Sequence, residues 1–200
     1  MTGTYDAERH IYYDDAGREV PSVTKILRFV TRAYMDTDAA DRGTFIHEAT
    51  ALDDQDDLYW EGVPEELLGY LHAWRAFLEQ EQFTVSVPQI ERRTDHPRWR
   101  YAGRIDRLGI LGDDPALIDI KTGQPEDWHA LQSAAYADAL EAEGEFVPVR
   151  GCVYLAVDGT FKLVRHDGDR SADFRTFLHC LGLHNWEERN KNARRKPHPR

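Results

Sequence analysis

Cysteine is scarce in this sequence, with Cys152 and Cys180 as its only two examples among 200 residues. Two thiols exclude both a disulfide framework and a four-thiolate metal site. Long apolar runs are also lacking, and the first residues do not have the composition of a signal peptide. These absences predict a reduced, soluble, cytoplasmic protein with no membrane partner.

An excess of basic charge is lacking too. Lys and Arg number 25 against 36 Asp and Glu, which gives a formal net charge of -11. Such a charge argues against a protein that holds nucleic acid by bulk electrostatics alone. Residues 189–200, however, contain six Lys or Arg and no acid. We predict a flexible basic tail there, and both a phosphate-holding role and a merely solvated end stay open.

The hydrophobic pattern predicts one α/β domain over residues 1–188, because 41% hydrophobic content over this length supports one sizeable core. Helical spacing and helix-start residues, among them Ser22, Asp127 and Ser171, predict helices at 22–30, 38–52, 64–78, 127–143 and 171–188. Alternation and turn signals predict a hairpin at 10–20 and strands at 84–93, 100–111, 116–121, 149–157 and 160–165. The core at 64–157 therefore has the order α-β-β-β-α-β, followed by an added strand and helix.

Carboxylates and a lysine occur together on two of these strands. Asp106 lies on the second core strand, and the third ends in Asp119-Ile120-Lys121. Residues two apart on a strand point to the same side, so Asp119 and Lys121 project together while Ile120 faces a core. Paired carboxylates are costly without a cation between them, and oxygen ligands suit Mg²⁺ or Mn²⁺. The pattern predicts a metal site for an anionic, phosphodiester substrate.

Each of these residues has a possible role in phosphodiester cleavage, which needs a metal-activated water and stabilisation of charge at the phosphate. Asp106 and Asp119 are predicted to hold the metal, with the carbonyl of Ile120 as a third ligand. Lys121 is predicted to lie beside the scissile phosphate. An isolated Asp-x-Lys is more often a pair of solvated strand-end residues, and its combination with Gly103-x-x-Asp106 favours the catalytic interpretation.

In these motifs the sequence resembles the PD-(D/E)XK nuclease superfamily, in particular its RecB-like and phage-exonuclease branch. The resemblance covers about residues 21–157 and implies a restriction-endonuclease-like core with a central mixed sheet. Asp106 matches the family's Asp on the second strand, and Asp119-Ile120-Lys121 matches its (Asp/Glu)-x-Lys motif. The family's proline is missing before Asp106, where Ile105 stands, and this branch commonly has Gly-x-x-Asp instead.

Two further patches support the resemblance. The segment from Arg42 to Glu48 looks like the branch's Gly-x-x-x-His motif, which implies that His47 reaches the metal. Gln132 and Tyr136 match its Gln-x-x-x-Tyr motif and lie on one side of a helix. The resemblance implies that these two residues contact nucleic acid near the site.

A glutamate on the first core strand and two arginines elsewhere add further candidates. Glu91 lies where related nucleases often carry a glutamate near the metal, and the alternative is a salt bridge to Arg92, Arg93 or Arg104. Guanidinium groups suit phosphate contacts, so Arg42 and Arg104 are predicted to bind nucleic acid.

Together these features predict a Mg²⁺- or Mn²⁺-dependent DNA exonuclease of phage or prophage recombination or repair. The alternatives are an endonuclease of the same superfamily, a non-catalytic binding module on a nuclease fold, and a metal-dependent phosphatase. The iron–sulfur relatives with similar patches need four cysteines and are excluded. The sequence leaves open the oligomeric state, the polarity of digestion and a partner protein of recombination or repair.

Overall fold

The computed structural model describes residues 3–6, 9–31 and 37–195. Its strands are β1 (Thr4–Asp6), β2 (Ile11–Tyr13), β3 (Glu19–Val20), β4 (Phe83–Val85), β5 (Arg92–Asp95), β6 (Ala102–Ile105), β7 (Arg107–Leu111), β8 (Asp114–Lys121), β9 (Val149–Leu155) and β10 (Phe161–Arg165). Its helices are α1 (Val23–Leu27), α2 (Thr37–Asp53), α3 (Glu65–Gln80), α4 (Trp128–Ala142) and α5 (Arg170–Arg195), with 3₁₀ turns at Trp60–Gly62 and Val87–Gln89.

A five-stranded mixed sheet lies at the centre, with strand order β10-β9-β8-β7-β4. β8 and β9 are parallel, whereas the other neighbouring strands are antiparallel. A parallel pair needs a crossover connection, and α4 provides it. The succession α3, β4, β7, β8, α4, β9 has the predicted α-β-β-β-α-β order, and the predicted mixed α/β fold is confirmed. The N-terminal hairpin is also present, extended by β1 to three strands.

Alternation along β8 sends neighbouring residues into two different cores. Leu117 packs in a cluster with residues of α1, α4 and α5, whereas Ile118 and Ile120 pack in a second cluster with residues of α2 and α3. Helices therefore cover both faces of the sheet, as a partly parallel sheet requires. Asp119 shares its side of β8 with Leu117 and so faces the layer that contains α4.

The first core strand is shorter than predicted. The single strand expected at 84–93 ends at Val85, continues as a 3₁₀ turn around Pro88, and resumes only at Arg92. Proline has no N–H to donate to a strand ladder. Glu91 has φ +52°, which also lies outside the strand region. The second half, β5, consequently leaves the central sheet and pairs with β6 instead.

The second core strand is also divided. The strand expected at 100–111 bends at Asp106, so that β6 pairs with β5 and β7 pairs with β8. The bend leaves Ile105, Asp106 and Arg107 all buried in succession. Asp106 is therefore presented from a break between two strands and not from within one.

One helix end and two helix caps differ from the predictions. Ser22 caps α1 as predicted by accepting from the N–H of Lys25 at 3.1 Å, but the helix ends at Leu27 and is followed by a turn. Asp127 precedes α4 without a capping hydrogen bond, because its own backbone is already helical. The first turn of α5 is instead capped by Asp169, which accepts from the N–H of Ala172 at 3.1 Å.

Helix α5 also continues to Arg195, beyond the predicted end at residue 188. Lys191 forms ion pairs with Glu187 and Glu188, and such pairs one turn apart stabilise helices. The first part of the predicted basic tail is thus helical, and residues 196–200 lie outside the described ranges. In the part of the chain that the structure describes, no helix is long and apolar enough to cross a membrane.

Candidate active site

The carboxylate of Asp106 is fixed to the neighbouring strand by a backbone contact. Residue 107 pairs with Ile118 in the β7–β8 ladder, which places Asp106 beside the end of β8. The N–H of Ile120 donates to Oδ2 of Asp106 at 2.7 Å. Asp106 and Asp119 are 7% and 3% exposed, so both acids are taken almost fully out of water. The role predicted for the Ile120 carbonyl stays a prediction.

Three side chains from different elements converge on one point. His47 of α2, Glu91 and Asp106 each offer a ligand atom, and these atoms all lie within 4.8 Å of one another. Nδ1 of His47 is 3.4 Å from Oδ2 of Asp106 and 3.7 Å from Oε1 of Glu91. The fold thus brings two residues that are far apart in sequence, His47 and Glu91, to the predicted Asp106.

Glu91 reaches this cluster from a strained backbone. Its φ of +52° is disfavoured for a residue with a side chain, and its N–H donates to the carbonyl of Asp106 at 3.0 Å. Oε2 lies 2.9 Å from Nε of Arg104. Glu91 therefore forms the predicted salt bridge to Arg104 and also belongs to the metal-capable cluster, and its binding of a metal stays a prediction. Arg92 and Arg93, the other expected partners, pair with Glu143 and Asp95 respectively.

Asp119 and Lys121 form an ion pair at the end of β8. Among the described residues, none donates a well-oriented hydrogen bond to Oδ2 of Asp119, although this atom is buried. Asp119 does not belong to the compact group of His47, Glu91 and Asp106. It is linked to that group electrostatically, through the charge of Asp106.

The lysine is held from its other side by α4. Nζ of Lys121 donates to Oε1 of Gln132 at 3.1 Å, and Nε2 of Gln132 donates to the Tyr136 hydroxyl at 3.3 Å. Gln132 and Tyr136 are 5% and 4% exposed. The structure thus brings both residues to the lysine, and their predicted contact with nucleic acid stays a prediction.

Gly103 explains how Tyr136 approaches so closely. A Cβ atom added at Gly103 would lie only 2.4 Å from Cε1 of Tyr136. The glycine of the Gly-x-x-Asp motif therefore makes room for the tyrosine of the Gln-x-x-x-Tyr motif. The two motifs are parts of one packing arrangement.

The charges in the site shift one another's protonation. Burial acts to lower the pKa of His47, but the carboxylates of Asp106 and Glu91 outweigh it and raise this pKa to about 10. Burial acts to raise the pKa of Asp106, but His47 and Lys121 lower it to about 2. Burial and the charge of Asp106 raise the pKa of Asp119 to about 6. Without a cation, the site therefore carries a protonated His47 against an ionised Asp106.

The same donor set fits a divalent cation. Carboxylate oxygens of Glu91 and Asp106 with one imidazole nitrogen suit Mg²⁺ or, better, Mn²⁺. The buried carboxylate of Asp119, whose Oδ2 is paired with the ammonium of Lys121, adds a further oxygen donor beside this set. We therefore expect the proton on His47 to be displaced when a cation binds.

Arg104 and Arg42, the two predicted nucleic-acid contacts, differ in their surroundings. The side chain of Arg104 is 47% exposed, and its guanidinium lies over the ring of Tyr5 at 5.6 Å. Nε of Arg42 is buried without a hydrogen-bond partner among the described residues. Arg104 is thus partly exposed and Arg42 is not hydrogen-bonded through Nε to any described residue, and the nucleic-acid contacts predicted for both stay predictions.

Sequence reasoning missed a buried group behind the cluster, formed by Thr50, Asp54, Trp74 and Arg107. Asp54 directly follows α2 and was assigned no role from the sequence. The available signal was spacing, because Thr50 and Asp54 follow His47 at i+3 and i+7 and so share its face of the helix.

A mixed sheet with carboxylates and an adjacent lysine at its edge is typical of metal-dependent nucleases. The chain belongs to the PD-(D/E)XK nuclease superfamily, whose family model matches residues 22–196. Among solved structures, 20 chains match, and one of them is a protein described as SSO0001. It has 16% identity and a TM-score of 0.32, over 80% of this chain and 84% of that one. No curated protein sequence matches the chain.

Proposed function

We propose that this protein is a Mg²⁺- or Mn²⁺-dependent DNA exonuclease of phage or prophage recombination or repair that acts in the cytoplasm. The observation that carries the proposal is the convergence of His47, Glu91 and Asp106 beside the Asp119–Lys121 pair. Such a site combines cation ligands with a fixed ammonium group, and hydrolysis of a phosphodiester needs both.

The residues of the site have separable roles. When bound, the cation would acidify a water molecule and neutralise charge on the phosphate. His47, Glu91 and Asp106 would hold it, with Asp119 as a further oxygen ligand. Lys121 is held between Asp119 and Gln132, so its ammonium is oriented before substrate arrives and can stabilise negative charge on the phosphate. Arg104 is an exposed cation that contacts the cluster residue Glu91, and its guanidinium suits a backbone phosphate.

The exonuclease assignment is supported by the motifs and not by the geometry. Gly43-x-x-x-His47 and Gln132-x-x-x-Tyr136 resemble those of the RecB-like and phage-exonuclease branch. Both motifs reach the candidate site in the fold, since His47 lies 3.4 Å from Asp106 and Gln132 accepts a hydrogen bond from Lys121.

Catalysis is tested by measuring the degradation rate of linear DNA in the presence of Mn²⁺ and in the presence of EDTA. We expect Mn²⁺-dependent degradation by the wild type and a loss of at least about 100-fold in Asp119→Asn and Lys121→Met. Asp114→Asn at the exposed start of β8 and Lys162→Met on exposed β10 are matched controls that should retain activity. Equal rates in all five proteins would remove Asp119 and Lys121 from the mechanism.

The mode of attack needs a second substrate set. Linear DNA labelled at the 5′ or 3′ end should release labelled mononucleotides or short products from one end, and closed circular DNA should stay intact. Cutting of the closed circle would show an endonuclease of the same superfamily. A wild type that binds no Mn²⁺ in calorimetry and cuts neither substrate would favour a non-catalytic binding module.

A further inference from the structure

Arg107 is a fully buried arginine directly behind the candidate metal ligands. Its side chain is 0% exposed. Nη1 donates to the backbone carbonyl of Asp106 at 2.7 Å and lies 3.4 Å from Oε1 of Glu91. One guanidinium nitrogen therefore contacts two of the three residues of the cluster.

The rest of the guanidinium is fixed to α2 and α3. Nε donates to Oδ2 of Asp54 at 2.5 Å, and Nη2 donates to the Thr50 hydroxyl at 2.9 Å. The other oxygen of Asp54 accepts from the indole N–H of Trp74 at 2.9 Å. The Trp74 ring also lies 5.5 Å from the guanidinium carbon of Arg107. With these partners the planar group is held in one orientation.

The same partners connect Arg107 to the third ligand. Thr50 donates to the carbonyls of Ile46 and His47, so it lies one turn from the imidazole on the same face of α2. The carbonyl of Asp106 accepts from both Glu91 and Arg107. Arg107 thus lies at the junction of the three segments that supply His47, Glu91 and Asp106.

We propose that Arg107, with Asp54 as its counter-ion, is a positioning residue that holds the metal ligands at binding distance, an inference that rests on the proposed function. Glu91 in particular needs such support, because its backbone is strained and its side chain would relax away from the cluster without the contact to Arg107. Arg107 holds one carboxylate oxygen from the buried side while Arg104 holds the other from the surface.

A purely structural role is a weaker explanation for this arginine. Burying a charged pair costs solvation that the pairing recovers only in part, and apolar residues often replace such a pair without loss of stability. The observed contacts go to a ligand carboxylate and a ligand backbone. Partners of metal ligands typically change metal affinity by about 10- to 100-fold when they are replaced.

The test compares Mn²⁺ binding in Arg107→Lys and in Arg150→Lys. Arg150 is a matched control because it is also a buried arginine, 3% exposed, with a carboxylate, a hydroxyl and a carbonyl as partners. Those partners are Asp173, Ser133 and Ala130, and none of them is a cluster ligand. Binding is measured by calorimetry and by the Mn²⁺ electron paramagnetic resonance signal, at a temperature where circular dichroism shows each variant folded.

We expect Mn²⁺ affinity to fall by about 10- to 100-fold in Arg107→Lys and to stay within about twofold in Arg150→Lys. Thr50→Val is a second variant, for use if Arg107→Lys does not fold. It removes one of the hydrogen bonds that hold Arg107, and we expect it to lower the Mn²⁺ affinity several-fold. The inference is overturned if Arg107→Lys and Thr50→Val bind Mn²⁺ as the wild type does, or if Arg150→Lys loses as much affinity as Arg107→Lys. A wild type that binds no Mn²⁺ would instead overturn the proposed function itself.

Discussion

The ammonium group of Lys121 donates a hydrogen bond to Oε1 of Gln132 at 3.1 Å, which links the end of β8 to the buried face of α4. This contact predicts that Gln132 orients the lysine. We expect Gln132→Leu to lower kcat by about tenfold or more and to leave the KM for DNA nearly unchanged. Steady-state kinetics on end-labelled DNA measure the two parameters separately.

The same experiment separates this role from direct contact with DNA. Removing a residue that binds substrate and transition state equally would raise KM and leave kcat unchanged. Gln124→Leu, at an exposed position three residues after Lys121, is the control and should match the wild type. A raised KM with normal kcat in Gln132→Leu would contradict the orienting role.

Gly103 and Tyr136 predict a stability effect that requires no assumption about catalysis. A Cβ at residue 103 would lie 2.4 Å from Cε1 of Tyr136, so Gly103→Ala must displace a buried ring. Overpacking of this kind costs about 1 to 3 kcal/mol in the free energy of unfolding. Urea denaturation followed by circular dichroism measures the change.

A second glycine is the control for this substitution. Gly182 lies in α5 with nothing within 4 Å of an added Cβ, and alanine is the better helix former by about 1 kcal/mol. Gly182→Ala should therefore stabilise the protein while Gly103→Ala destabilises it. If Gly103→Ala also leaves the free energy of unfolding unchanged or raises it, Tyr136 can move aside without cost.

Local rules were enough to predict the strand that carries Asp119 and Lys121. Strand alternation has a period of two, so the sequence alone places Asp119 and Lys121 on one side of β8 and Ile118 and Ile120 on the other. Capping by Ser22 and the turn between the predicted strands 149–157 and 160–165 are equally local, and both are present in the structure. Each depends on residues within four positions of one another.

Contacts between distant segments were not predictable in this way. Arg107 and Asp54 are separated by 53 residues and meet only because α2 docks against the sheet. The left-handed backbone of Glu91 has no signal either, since glycine or asparagine would normally mark it. The resemblance suggested a glutamate near the metal, but the break that presents it depends on how β5 leaves the sheet.

The positive φ of Glu91 predicts that two substitutions with the same effect on metal binding differ in their effect on stability. Glu91→Ala and Glu91→Gly remove the same carboxylate, and both should weaken Mn²⁺ binding. Alanine keeps the strain of φ +52°, whereas glycine relieves it at a cost of backbone entropy. We expect Glu91→Gly to be more stable than Glu91→Ala by about 1 kcal/mol in urea denaturation. Equal stability of the two variants would show that residue 91 relaxes once its carboxylate is gone.

Two histidines outside the cluster predict acid sensitivity of the fold. Burial and the nearby charge of Lys121 lower the pKa of His129 to about 3, and burial with the charge of Arg150 lowers the pKa of His166 to about 4. Nδ1 of His129 accepts from the Tyr154 hydroxyl at 2.6 Å and from the N–H of Glu126 at 3.3 Å, so this nitrogen needs its lone pair. The folded protein therefore keeps both rings neutral where the unfolded chain protonates them.

The sign of the pH effect follows from these depressed values. Well above pH 6.5, the two histidines are neutral in both the folded and the unfolded state, so they contribute no pH dependence to stability. As the pH falls from 6.5 towards 4, the unfolded state binds the protons first and stability is lost. We expect His129 alone to account for about 1 to 2 kcal/mol between pH 7 and pH 5, measured as the change in urea unfolding free energy.

Two variants test this assignment. His129→Asn should reduce the loss of stability between pH 7 and pH 5. Tyr154→Phe, which keeps the imidazole, should lower stability at both pH values and preserve most of that loss. An unchanged loss in His129→Asn would place the acid sensitivity elsewhere in the protein.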